Sequence, residues 1–466
     1  MYKKNRHIHF MGIGGIGMSG IALVLREKGY IVSGCDLDTN QKSIKSLIAK
    51  GCLIHQGNNT DHCHDSSINV LVYSTAISQN NPEIVSAKQR GIPVIHRSSL
   101  LAELMRTHYS IAISGSHGKT TTSSLIAHIL IEAKLDPTII IGGHLKNIMC
   151  NAQLGAGPFL VAEADESDRS FLALKPTYTV ITNIDLEHLE TYSNLDDIKE
   201  SFKEFINSAP FYGFAVVCID NENIRSLLPT ITTPFITYGT HSTADFSAHN
   251  ILLAEEYSLF TVKYKDMTLG AIHLSIPGHH NILNGLAAIA VATQLEIPFH
   301  NIANALQTFT GVERRFSFRG IFKGAEVFDD YGHHPTEIEA TLSAAKQSFP
   351  DRRLVVVFQP HRYSRTRDLQ SRFAHAFLKA NLLILTEVYG AGEKPIPGVT
   401  GRSLCEETQK VMGADRVLFE GDRQRLPAFL SEIVRSGDVL LTLGAGDITS
   451  LGQEYLDLVR SVSRIS

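Results

Sequence analysis

Three times along the chain, an apolar strand-like run leads through a loop into a helix-like segment. The first run, from His7 to Met11, precedes GIGGIGMSG; the second, YSIAIS, precedes GSHGKTTT; the third start follows RRFSFRG. After each start, short apolar strands alternate with helix-like stretches, which is typical of parallel sheets covered by helices on both faces. The sequence therefore predicts an α/β protein built from three such sheets.

The length of the chain agrees with this division. A chain of 466 residues is too long for one hydrophobic core and favours about three domains. We place a Rossmann-like N-terminal domain at 1–107, a central P-loop ATPase-type domain at 108–316 and a Rossmann-like C-terminal domain at 317–466. Short alternating strands (FITYG, YSLFTVKY, AIHLSI) predict a small antiparallel insertion in the central domain.

Composition excludes several classes of protein. The net charge of -4 lacks the basic footprint of nucleic-acid binding. No apolar run approaches the roughly 18–20 residues of a membrane span, and glycines interrupt the first apolar stretch, which argues against a signal peptide. The 6 cysteines form no CxxC pair, which fits reduced thiols in a cytoplasm. The triplet His62-Cys63-His64 lies in a polar stretch without a second ligand pair, and we interpret it as a solvated loop.

The first glycine loop satisfies the dinucleotide pattern GxGxxG. It runs from Gly12 to Gly17 between a strand and a helix, and Asp36 follows at the end of the second strand. Glycines let the backbone approach a pyrophosphate at the helix N-terminus, so the loop serves NAD, FAD or a UDP-sugar equally well. On this loop alone, a nicotinamide dehydrogenase is the first interpretation.

The second glycine loop points to ATP. Gly115-Ser116-His117-Gly118-Lys119-Thr120 ends in the GK[ST] of a P-loop, although it is shorter than the GxxxxGK[ST] consensus. Its backbone N–H groups can cradle phosphates, Lys119 can neutralise the β- and γ-phosphates, and the Thr120 hydroxyl can hold Mg²⁺. We therefore expect ATP and Mg²⁺ as cofactors.

Acidic residues and a histidine follow two further strands. The segment EADESD supplies Glu163, Asp165, Glu166 and Asp168, and NIDLEH supplies His188. Mg²⁺ prefers hard oxygen ligands, so a carboxylate at a strand end beside a P-loop favours a metal site. At least two of the four carboxylates are expected to be solvated instead.

Taken together, the motifs resemble those of the Mur ligase family. GIGGIGMSG, GSHGKTTT, EADESD, HLETY, PGHHNILN, GVERRF, DDYGHHPTE and FQPHRYSRTR occur in the family's order and cover essentially the whole chain. The resemblance implies an ATP-dependent ligase of peptidoglycan precursor synthesis, which activates a carboxylate as an acyl phosphate and couples it to an amino acid. The products would be ADP and phosphate.

Within the family, GIGGIGMSG is most similar to the loop of members that add L-alanine to UDP-N-acetylmuramate. Two alternative functions stay open: a ligase that adds a preformed peptide to the same sugar nucleotide, and the NAD-dependent oxidoreductase suggested by the first loop. A non-enzymatic nucleotide switch is the other alternative, although it would leave the histidines and arginines of the third domain without a purpose. We expect a cytoplasmic monomer or homodimer.

The resemblance also implies site residues. UDP-sugar contacts fall on Gly14, Gly15, Ile16, Gly17, Asp36, Ser74, Thr75, Ala76 and His96. ATP contacts fall on Gly115, Ser116, His117, Gly118, Lys119, Thr120, Thr121, Asn281, Asn284, Arg315 and Asp330. Metal ligands fall on Thr120, Glu163 and His188, and the amino-acid site on Tyr331, His333, His361, Arg362 and Arg365. The residues expected to act in catalysis are Lys119, Glu163, His188, His333, Arg362 and Arg365. Two guanidinium groups suit a carboxylate because parallel N–H bonds determine its orientation.

Overall fold

The computed structural model of the protein describes residues 6–57, 65–145, 150–322 and 324–463. The triplet His62-Cys63-His64 lies outside these ranges. The chain forms two compact units: one contains the chain up to Ile251 together with Leu259–Ser275 and Asn281–Gly311, and the other contains Leu252–Ser258, Ile276–His280 and the chain from Val312 onward.

The first sheet is parallel throughout. Its strands are β1 (His7–Met11), β2 (Ile31–Asp36), β3 (Leu53–Gln56), β4 (Ile68–Tyr73) and β5 (Val94–His96). Its helices are α1 (Ile16–Glu27), α2 (Lys42–Ala49), α3 (Pro82–Gln89) and α4 (Arg97–Met105). The strand order β3-β2-β1-β4-β5 matches the first five strands of the Rossmann order, in which ligands bind beyond the carboxyl ends of the strands.

In the part of the chain that the structure describes, the central sheet has ten strands. They are β6 (Tyr109–Ser114), β7 (Thr138–Leu145), β8 (Cys150–Gln153), β9 (Phe159–Glu163), β10 (Tyr178–Ile181), β11 (Phe214–Cys218), β12 (Phe235–Gly239), β13 (Phe246–Leu253), β14 (Ser258–Tyr264) and β15 (Met267–Leu274). The helices of this region are α5 (Lys119–Glu132), α6 (Leu195–Ile206), α7 (Glu222–Leu227), α8 (His279–Gln294) and α9 (Phe299–Thr308). In the order β15-β14-β13-β12-β11-β10-β6-β9-β7-β8, strand β6 lies between β10 and β9.

The predicted antiparallel insertion is present but begins later than expected. FITYG, predicted as its first strand, is β12 and pairs in parallel with β11. That part of the prediction is wrong, because a short apolar strand carries no signal for the direction of its neighbour. Strands β13, β14 and β15 are joined by the connections 254–257 and 265–266, which are too short for a parallel crossover. The insertion therefore extends the central sheet.

The third sheet is again mostly parallel. Its strands are β16 (Ser317–Phe322), β17 (Ala325–Asp330), β18 (Leu354–Phe358), β19 (Leu382–Leu385), β20 (Val417–Phe419) and β21 (Val439–Leu443), in the order β16-β17-β21-β18-β19-β20. The helices are α10 (Pro335–Ser348), α11 (Tyr363–Asp368), α12 (Gln370–Ala376), α13 (Gly401–Met412), α14 (Leu426–Ile433) and α15 (Leu451–Ser463). Among the described residues of this sheet, β16 pairs antiparallel with β17, and the other pairs are parallel.

Strand β18 shows why this sheet is covered on both faces. Val356 and Phe358 pack into one hydrophobic cluster, whereas Val355 and Val357 pack into another. Successive side chains of a strand point to opposite faces, so the continuous apolar run LVVVF requires helices on both sides.

The predicted domain boundaries near 107 and 316 stay predictions; β6 begins at Tyr109 and β16 at Ser317.

Cysteines 35, 52, 218 and 405 are buried free thiols. Within the described ranges, no helix is both long enough and apolar enough to cross a membrane.

Candidate active site

The second glycine loop lies at the carboxyl edge of the central sheet. It follows β6, while Glu163 ends the neighbouring strand β9 and Asn183 follows β10 on the other side. The carboxyl ends of adjacent parallel strands meet at one edge, so side chains distant in sequence surround the loop.

Two glycines of this loop adopt backbone conformations that other residues rarely adopt. Gly115 has φ of 137° and Gly118, the N-cap of α5, has φ of 83°. A Cβ at Gly118 would lie 2.6 Å from Asn284 Oδ1, and one at Gly115 would overlap the Thr182 hydroxyl. Glycine is therefore required at both positions, and the loop presents the amino terminus of α5, which suits phosphate.

The segment after β10 holds the loop in shape. The backbone N–H of Ser116 donates to Asn183 O at 3.1 Å. The N–H of His117 donates to Asn183 Oδ1 at 2.8 Å. The Ser116 hydroxyl accepts from the N–H of Asp185 at 2.8 Å. The loop is thus positioned by hydrogen bonds as well as by its glycines.

Lys119 folds back beneath the loop. Its Nζ donates to Gly115 O at 2.5 Å, to Ser116 O at 3.1 Å and to Glu166 Oε1 at 2.9 Å. Burial alone would lower the pKa of Lys119, but the Glu166 and Asp165 carboxylates raise it. The lysine is therefore a positioned cation at neutral pH.

A cluster that could hold a metal ion adjoins Lys119. Glu166, Glu187 and His188 place one ligand atom each within 4.8 Å of one another, and His188 Nε2 lies 3.5 Å from both carboxylates. Glu166 is buried, and its Oε2 has no hydrogen-bond partner among the described residues. Burial would lower the pKa of His188, but Glu166 and Glu190 raise it to about 9. The carboxylates of Glu166 and Glu187 therefore attract cationic groups, and such a cluster of carboxylate oxygens suits Mg²⁺.

All four carboxylates of EADESD have partners. Glu163 accepts from the Ser123 hydroxyl at 3.2 Å and from the Gly142 N–H at 2.8 Å. Asp168 accepts from the Ser170 N–H at 2.9 Å. Asp165 pairs with an arginine, described below, and none of the four is fully exposed. The Asp165 side chain is still 41% exposed, so the expectation that at least two are solvated stays a prediction.

The predicted metal roles of Thr120 and Glu163 stay predictions. Thr120 lies buried in the first turn of α5, as does Thr121. The Thr120 carbonyl accepts from the same Ser123 hydroxyl that donates to Glu163. Glu163 is thus hydrogen-bonded to α5, although it does not belong to the cluster formed by Glu166, Glu187 and His188.

The two asparagines on α8 lie beside the start of α5. Asn284 Nδ2 donates to Asn281 Oδ1 at 3.1 Å, and Asn284 Oδ1 accepts from the Thr122 hydroxyl at 3.1 Å. Asn284 is buried and packs against Gly118. In this arrangement Asn284 supports the helix that carries the P-loop, and ATP contact by the pair stays a prediction.

The first glycine loop is held by the predicted acidic residue. Asp36 Oδ2 accepts from the Gly14 N–H at 2.8 Å, and Asp36 Oδ1 accepts from Gln41 Nε2 at 3.3 Å. The Ser43 hydroxyl donates to Gly14 O at 2.8 Å. Gly15 is the N-cap of α1, and Ile16 beside it is 44% exposed. Asp36 therefore shapes the loop, whatever else it contacts.

The other residues predicted for the sugar nucleotide lie at the ends of β4 and β5. Ser74, Thr75 and Ala76 form a turn closed by the Ile77 N–H donating to Ser74 O at 3.0 Å. His96 is the N-cap of α4, its Nδ1 lies 2.8 Å from the Ser98 hydroxyl, and burial lowers its pKa.

Arg97 links the first glycine loop to the EADESD segment after β9 and was missed by the sequence analysis. Its Nη2 donates to Asp165 Oδ2 at 2.8 Å, and its Nη1 lies 3.3 Å from where a Cβ on Gly17 would be. Burial alone would raise the pKa of Asp165, but Arg97 and Lys119 lower it to about 2. The only sequence signal was an arginine next to the predicted His96 at a strand end.

In the second unit, the predicted amino-acid residues cluster where β18 leads into α11. The His361 ring stacks on Tyr389 with 5.7 Å between centroids, and His333 packs edge-on against His361 at the same distance. Arg362 has φ of 71°, and its N–H donates to Tyr389 O at 2.8 Å. Tyr389 is a second residue that the sequence analysis missed, since it follows β19 and not β18.

The electrostatics of this cluster suit an anion, although anion binding there stays a prediction. Burial lowers the pKa of His361 to about 4 and that of His333 to about 3, with Arg365 adding to both shifts. Both imidazoles are therefore neutral near pH 7. Arg365 Nη1 is buried and has no hydrogen-bond partner among the described residues. A carboxylate would satisfy that donor.

Arg315 and Asp330 lie near the start of the third sheet. Asp330 accepts from the Phe316 N–H and from the Gly332 N–H, both at 2.7 Å. Arg315 lies over the Tyr331 ring at 5.6 Å. Burial raises the pKa of Asp330, although Arg315 opposes the shift. Nucleotide contact by these two residues stays a prediction.

Comparison with known proteins identifies the family. Three sequence profiles match the chain: "Mur ligase family, catalytic domain" over residues 7–109, "Mur ligase middle domain" over 113–292 and "Mur ligase, glutamate ligase domain" over 314–446. The chain is 50% identical over 457 residues to the UDP-N-acetylmuramate–L-alanine ligase of Geobacter sulfurreducens, with 98% of each chain covered. The chain belongs to the Mur ligase family.

Further similar proteins agree with this family assignment. The UDP-N-acetylmuramate–L-alanine ligase of Geotalea daltonii is 50% identical over 462 residues, with 99% of each chain covered. The solved structure of the alanine ligase from Thermotoga maritima has a TM-score of 0.83 at 29% identity, covering 98% of this chain and 99% of that one. A murein peptide ligase from Psychrobacter arcticus has a TM-score of 0.74 at 24% identity, covering 97% and 98%. The predicted family and three-domain α/β fold are confirmed.

Proposed function

We propose that this Mur ligase couples L-alanine to the carboxylate of UDP-N-acetylmuramate, with ATP converted to ADP and phosphate. The observation that carries the reaction type is the P-loop lysine, Lys119, held in contact with the Glu166 carboxylate at one sheet edge. The choice of substrates rests on relatives of that description that are 50% identical over nearly the whole chain.

The proposed first step is transfer of the γ-phosphoryl group of ATP to the lactyl carboxylate, which forms an acyl phosphate. The N–H groups at the start of α5 would hold the phosphates, and Lys119 would neutralise charge on the transferring group. The alanine amine then attacks the acyl carbon, and phosphate leaves. A carboxylate needs this activation because its own oxygen is a poor leaving group.

The acidic residues beside Lys119 fit a requirement for Mg²⁺. Thr120, Glu163 and His188 are the predicted ligands, and the geometry adds Glu166 and Glu187 as candidates. Mg²⁺ would neutralise phosphate charge when bound. Because the pKa of His188 is raised to about 9, its imidazole must lose a proton before it can coordinate a metal.

The first glycine loop is the proposed site of the UDP-sugar diphosphate. Its backbone shape is determined by Asp36, and Arg97 brings a positive charge to Gly17 at the start of α1. A helix N-terminus with an adjacent guanidinium group suits a diphosphate. Ser74, Thr75, Ala76 and His96 are proposed to contact the rest of the nucleotide.

A reaction assay tests the proposal. Purified protein with ATP, Mg²⁺ and UDP-N-acetylmuramate is expected to release phosphate only when an amino acid is added, and fastest with L-alanine. Nucleotide analysis is expected to find ADP, because the P-loop directs attack at the γ-phosphate. Detection of AMP and pyrophosphate would reject the acyl-phosphate mechanism even if an amide forms.

The amino-acid half of the proposal rests on Arg362 and Arg365. Replacing either by lysine keeps the charge but removes the planar pair of donors. Losing a charge-assisted hydrogen bond is worth about 1.5–3 kcal/mol, so the KM for L-alanine is expected to rise roughly tenfold to a hundredfold. Arg367→Lys is a matched control, since Arg367 is 55% exposed and pairs with Asp368.

The alternative substrate is a preformed peptide in place of L-alanine. It is favoured by the similarity to ligases of that description, of which one is 24% identical and shows the fold alone, and another is 27% identical over 66% of this chain. Including that peptide in the same assay decides between the two. A cytoplasmic location and a monomeric or homodimeric state stay predictions.

A further inference from the structure

A buried group of polar side chains lies under the first glycine loop and includes none of the residues assigned above. His9 on β1, Cys35 on β2 and Glu83 on α3 place one ligand atom each within 4.8 Å of one another. Their exposed fractions are 1%, 0% and 3%. Three potential metal ligands therefore meet inside the first domain.

The parallel sheet explains how they meet. His9 is opposite Ser33 and Met11 is opposite Cys35 in the register of β1 and β2. Alternate residues of a strand share a face, so His9 and Cys35 point to the same side of the sheet. Helix α3 packs on that side, where Ile84 and Ala87 join Cys35 in a hydrophobic cluster. Glu83 enters this apolar region from the first turn of α3.

We propose that His9, Cys35 and Glu83 form a binding site for one borderline-soft divalent cation of the zinc and cadmium class. The Sγ of Cys35 lies 3.7 Å from Glu83 Oε2, which is close to the separation of two ligands on one tetrahedral zinc ion. Cysteine, histidine and glutamate are all zinc ligands, and the Glu83 carboxylate can offer both oxygens. Thiolate ligation disfavours Mg²⁺, the metal expected at the P-loop.

Charge balance suits the burial of this site. A divalent cation with one thiolate, one carboxylate and one neutral imidazole is a neutral complex, and neutral groups are the least costly to bury. Burial raises the pKa of the Cys35 thiol to about 12, with Glu83 adding to the shift. The cation must therefore displace the thiol proton, as zinc does at structural sites.

Hydrogen bonds behind His9 orient its ring for this role. His9 Nδ1 lies 2.7 Å from the Ser33 hydroxyl, so Nε2 is the ring atom that would coordinate the metal. The same hydroxyl lies 2.6 Å from His7 Nε2, and His7 Nδ1 lies 2.8 Å from the Ser67 hydroxyl. If His9 Nδ1 donates to Ser33, then Ser33 can donate to His7 and His7 to Ser67. Such partners behind a ligating histidine are typical of metal sites.

The site also adjoins the first glycine loop. The Cys35 carbonyl accepts from the Gly12 N–H at 2.8 Å and from the Ile13 N–H at 3.1 Å. A metal on the Cys35 side chain would therefore connect β1, β2 and α3 directly beneath that loop.

Cadmium titration of the full-length protein tests the proposal. Reduced protein, stripped with a chelator, is incubated with Cd²⁺ until the ultraviolet thiolate-to-cadmium absorption band stops growing. We expect saturation at one Cd²⁺ per chain, and loss of the band in Cys35→Ser. Glutamate and histidine ligands at the P-loop give no such band, so binding there does not interfere.

Two further variants complete the experiment. Cys218→Ser removes a thiol of similar burial and is expected to keep the band. Glu83→Gln keeps the thiol but removes a ligand, and is expected to weaken Cd²⁺ binding roughly tenfold or more. Zn²⁺ is expected to raise the unfolding temperature of the unmodified protein and of Cys218→Ser, but not of Cys35→Ser.

Because the site is buried, protein from zinc-supplemented cells is also analysed for bound zinc before any chelator treatment. A band that survives in Cys35→Ser overturns the proposal. So does the absence of both the cadmium band in the unmodified protein and zinc in the protein as purified. In either case the three side chains form only a hydrogen-bonded core network.

Discussion

The two glycine loops have similar local architecture but different surroundings. Each follows a parallel strand and leads into a helix, α1 for the first loop and α5 for the second. The first loop, Gly12–Gly17, contains no charged side chain, and Asp36 accepts a hydrogen bond from its backbone. The second contains Lys119, which folds beneath its own loop onto Gly115 O and Glu166.

This difference separates binding from chemistry. A glycine loop at a helix N-terminus holds a phosphate group without acting on it. Transfer of a phosphoryl group also requires charge placed where charge develops, and Lys119 with the neighbouring carboxylates supplies that arrangement. The first loop is therefore suited to hold a substrate, and the second to activate one. Three predictions test this distinction.

The largest effect is expected from removing the P-loop cation. Lys119→Ala is expected to lower ligase turnover roughly 10²–10³-fold or more, because a preorganised charge at the transferring phosphoryl group is lost. Phosphate release measures turnover, and circular dichroism measures the fold. The variant also removes one of the two cationic partners of buried Glu166, so thermal unfolding must be recorded.

Lys45→Ala is the matched control, since Lys45 is exposed on α2. It should turn over like the unmodified protein. A folded Lys119→Ala variant with near-normal turnover would show that the second loop does not act on ATP.

A smaller effect is expected from the first loop, where neighbouring glycines have different roles. A Cβ at Gly14 would lie 2.7 Å from Gln41 Oε1 and 2.9 Å from Asp36 Oδ2, whereas one at Gly15 would lie 3.5 Å from its nearest neighbour. Overpacking of this kind costs about 1–3 kcal/mol, so Gly14→Ala should lower stability and UDP-sugar affinity together, the latter about tenfold.

Gly15→Ala sharpens the comparison. It should leave stability within about 0.5 kcal/mol, because its Cβ has room. It should still raise the KM for UDP-N-acetylmuramate, because that Cβ occupies the exposed space where a diphosphate would approach the start of α1. A Gly15→Ala variant with normal stability and normal KM would mean that these glycines serve packing only.

The sequence predicted those features of the two loops that are local. Strand, glycines and helix follow one another in the chain, so both loops and the identity of Asp36 could be read from spacing. The contact between Arg97 and Asp165 could not, because the two residues follow strands of different sheets and nothing near either residue indicates the other.

The same limit applies to the roles of individual side chains. Among the carboxylates of EADESD, the spacing did not reveal that Glu166 pairs with Lys119 while Glu163 bonds to α5 and Gly142. Tyr389 was missed for a similar reason: its contact with His361 joins segments that follow two different strands. The direction of β12 was also invisible, since its apolar pattern suits either orientation.

The smallest expected effect is that of NADH on the unfolding temperature, which should be none. NADH should not change the unfolding temperature, whereas UDP-N-acetylmuramate should raise it without ATP, by an amount equivalent to about 2.7 kcal/mol at a concentration of 100 Kd. In dinucleotide enzymes the acidic residue after the second strand bonds the ribose hydroxyls. Here Asp36 directs Oδ2 to Gly14 and Oδ1 to Gln41, so it is occupied in holding the loop.

The Lys119→Ala variant provides the control for this experiment. Because Lys119 belongs to the second loop, UDP-N-acetylmuramate should protect that variant as well as the unmodified protein. Saturable protection by NADH would contradict the assignment of the first loop and restore the dehydrogenase interpretation. Loss of UDP-sugar protection in Lys119→Ala would instead show that the two loops do not act independently, and the connection through Arg97 and Asp165 would be the first contact to examine.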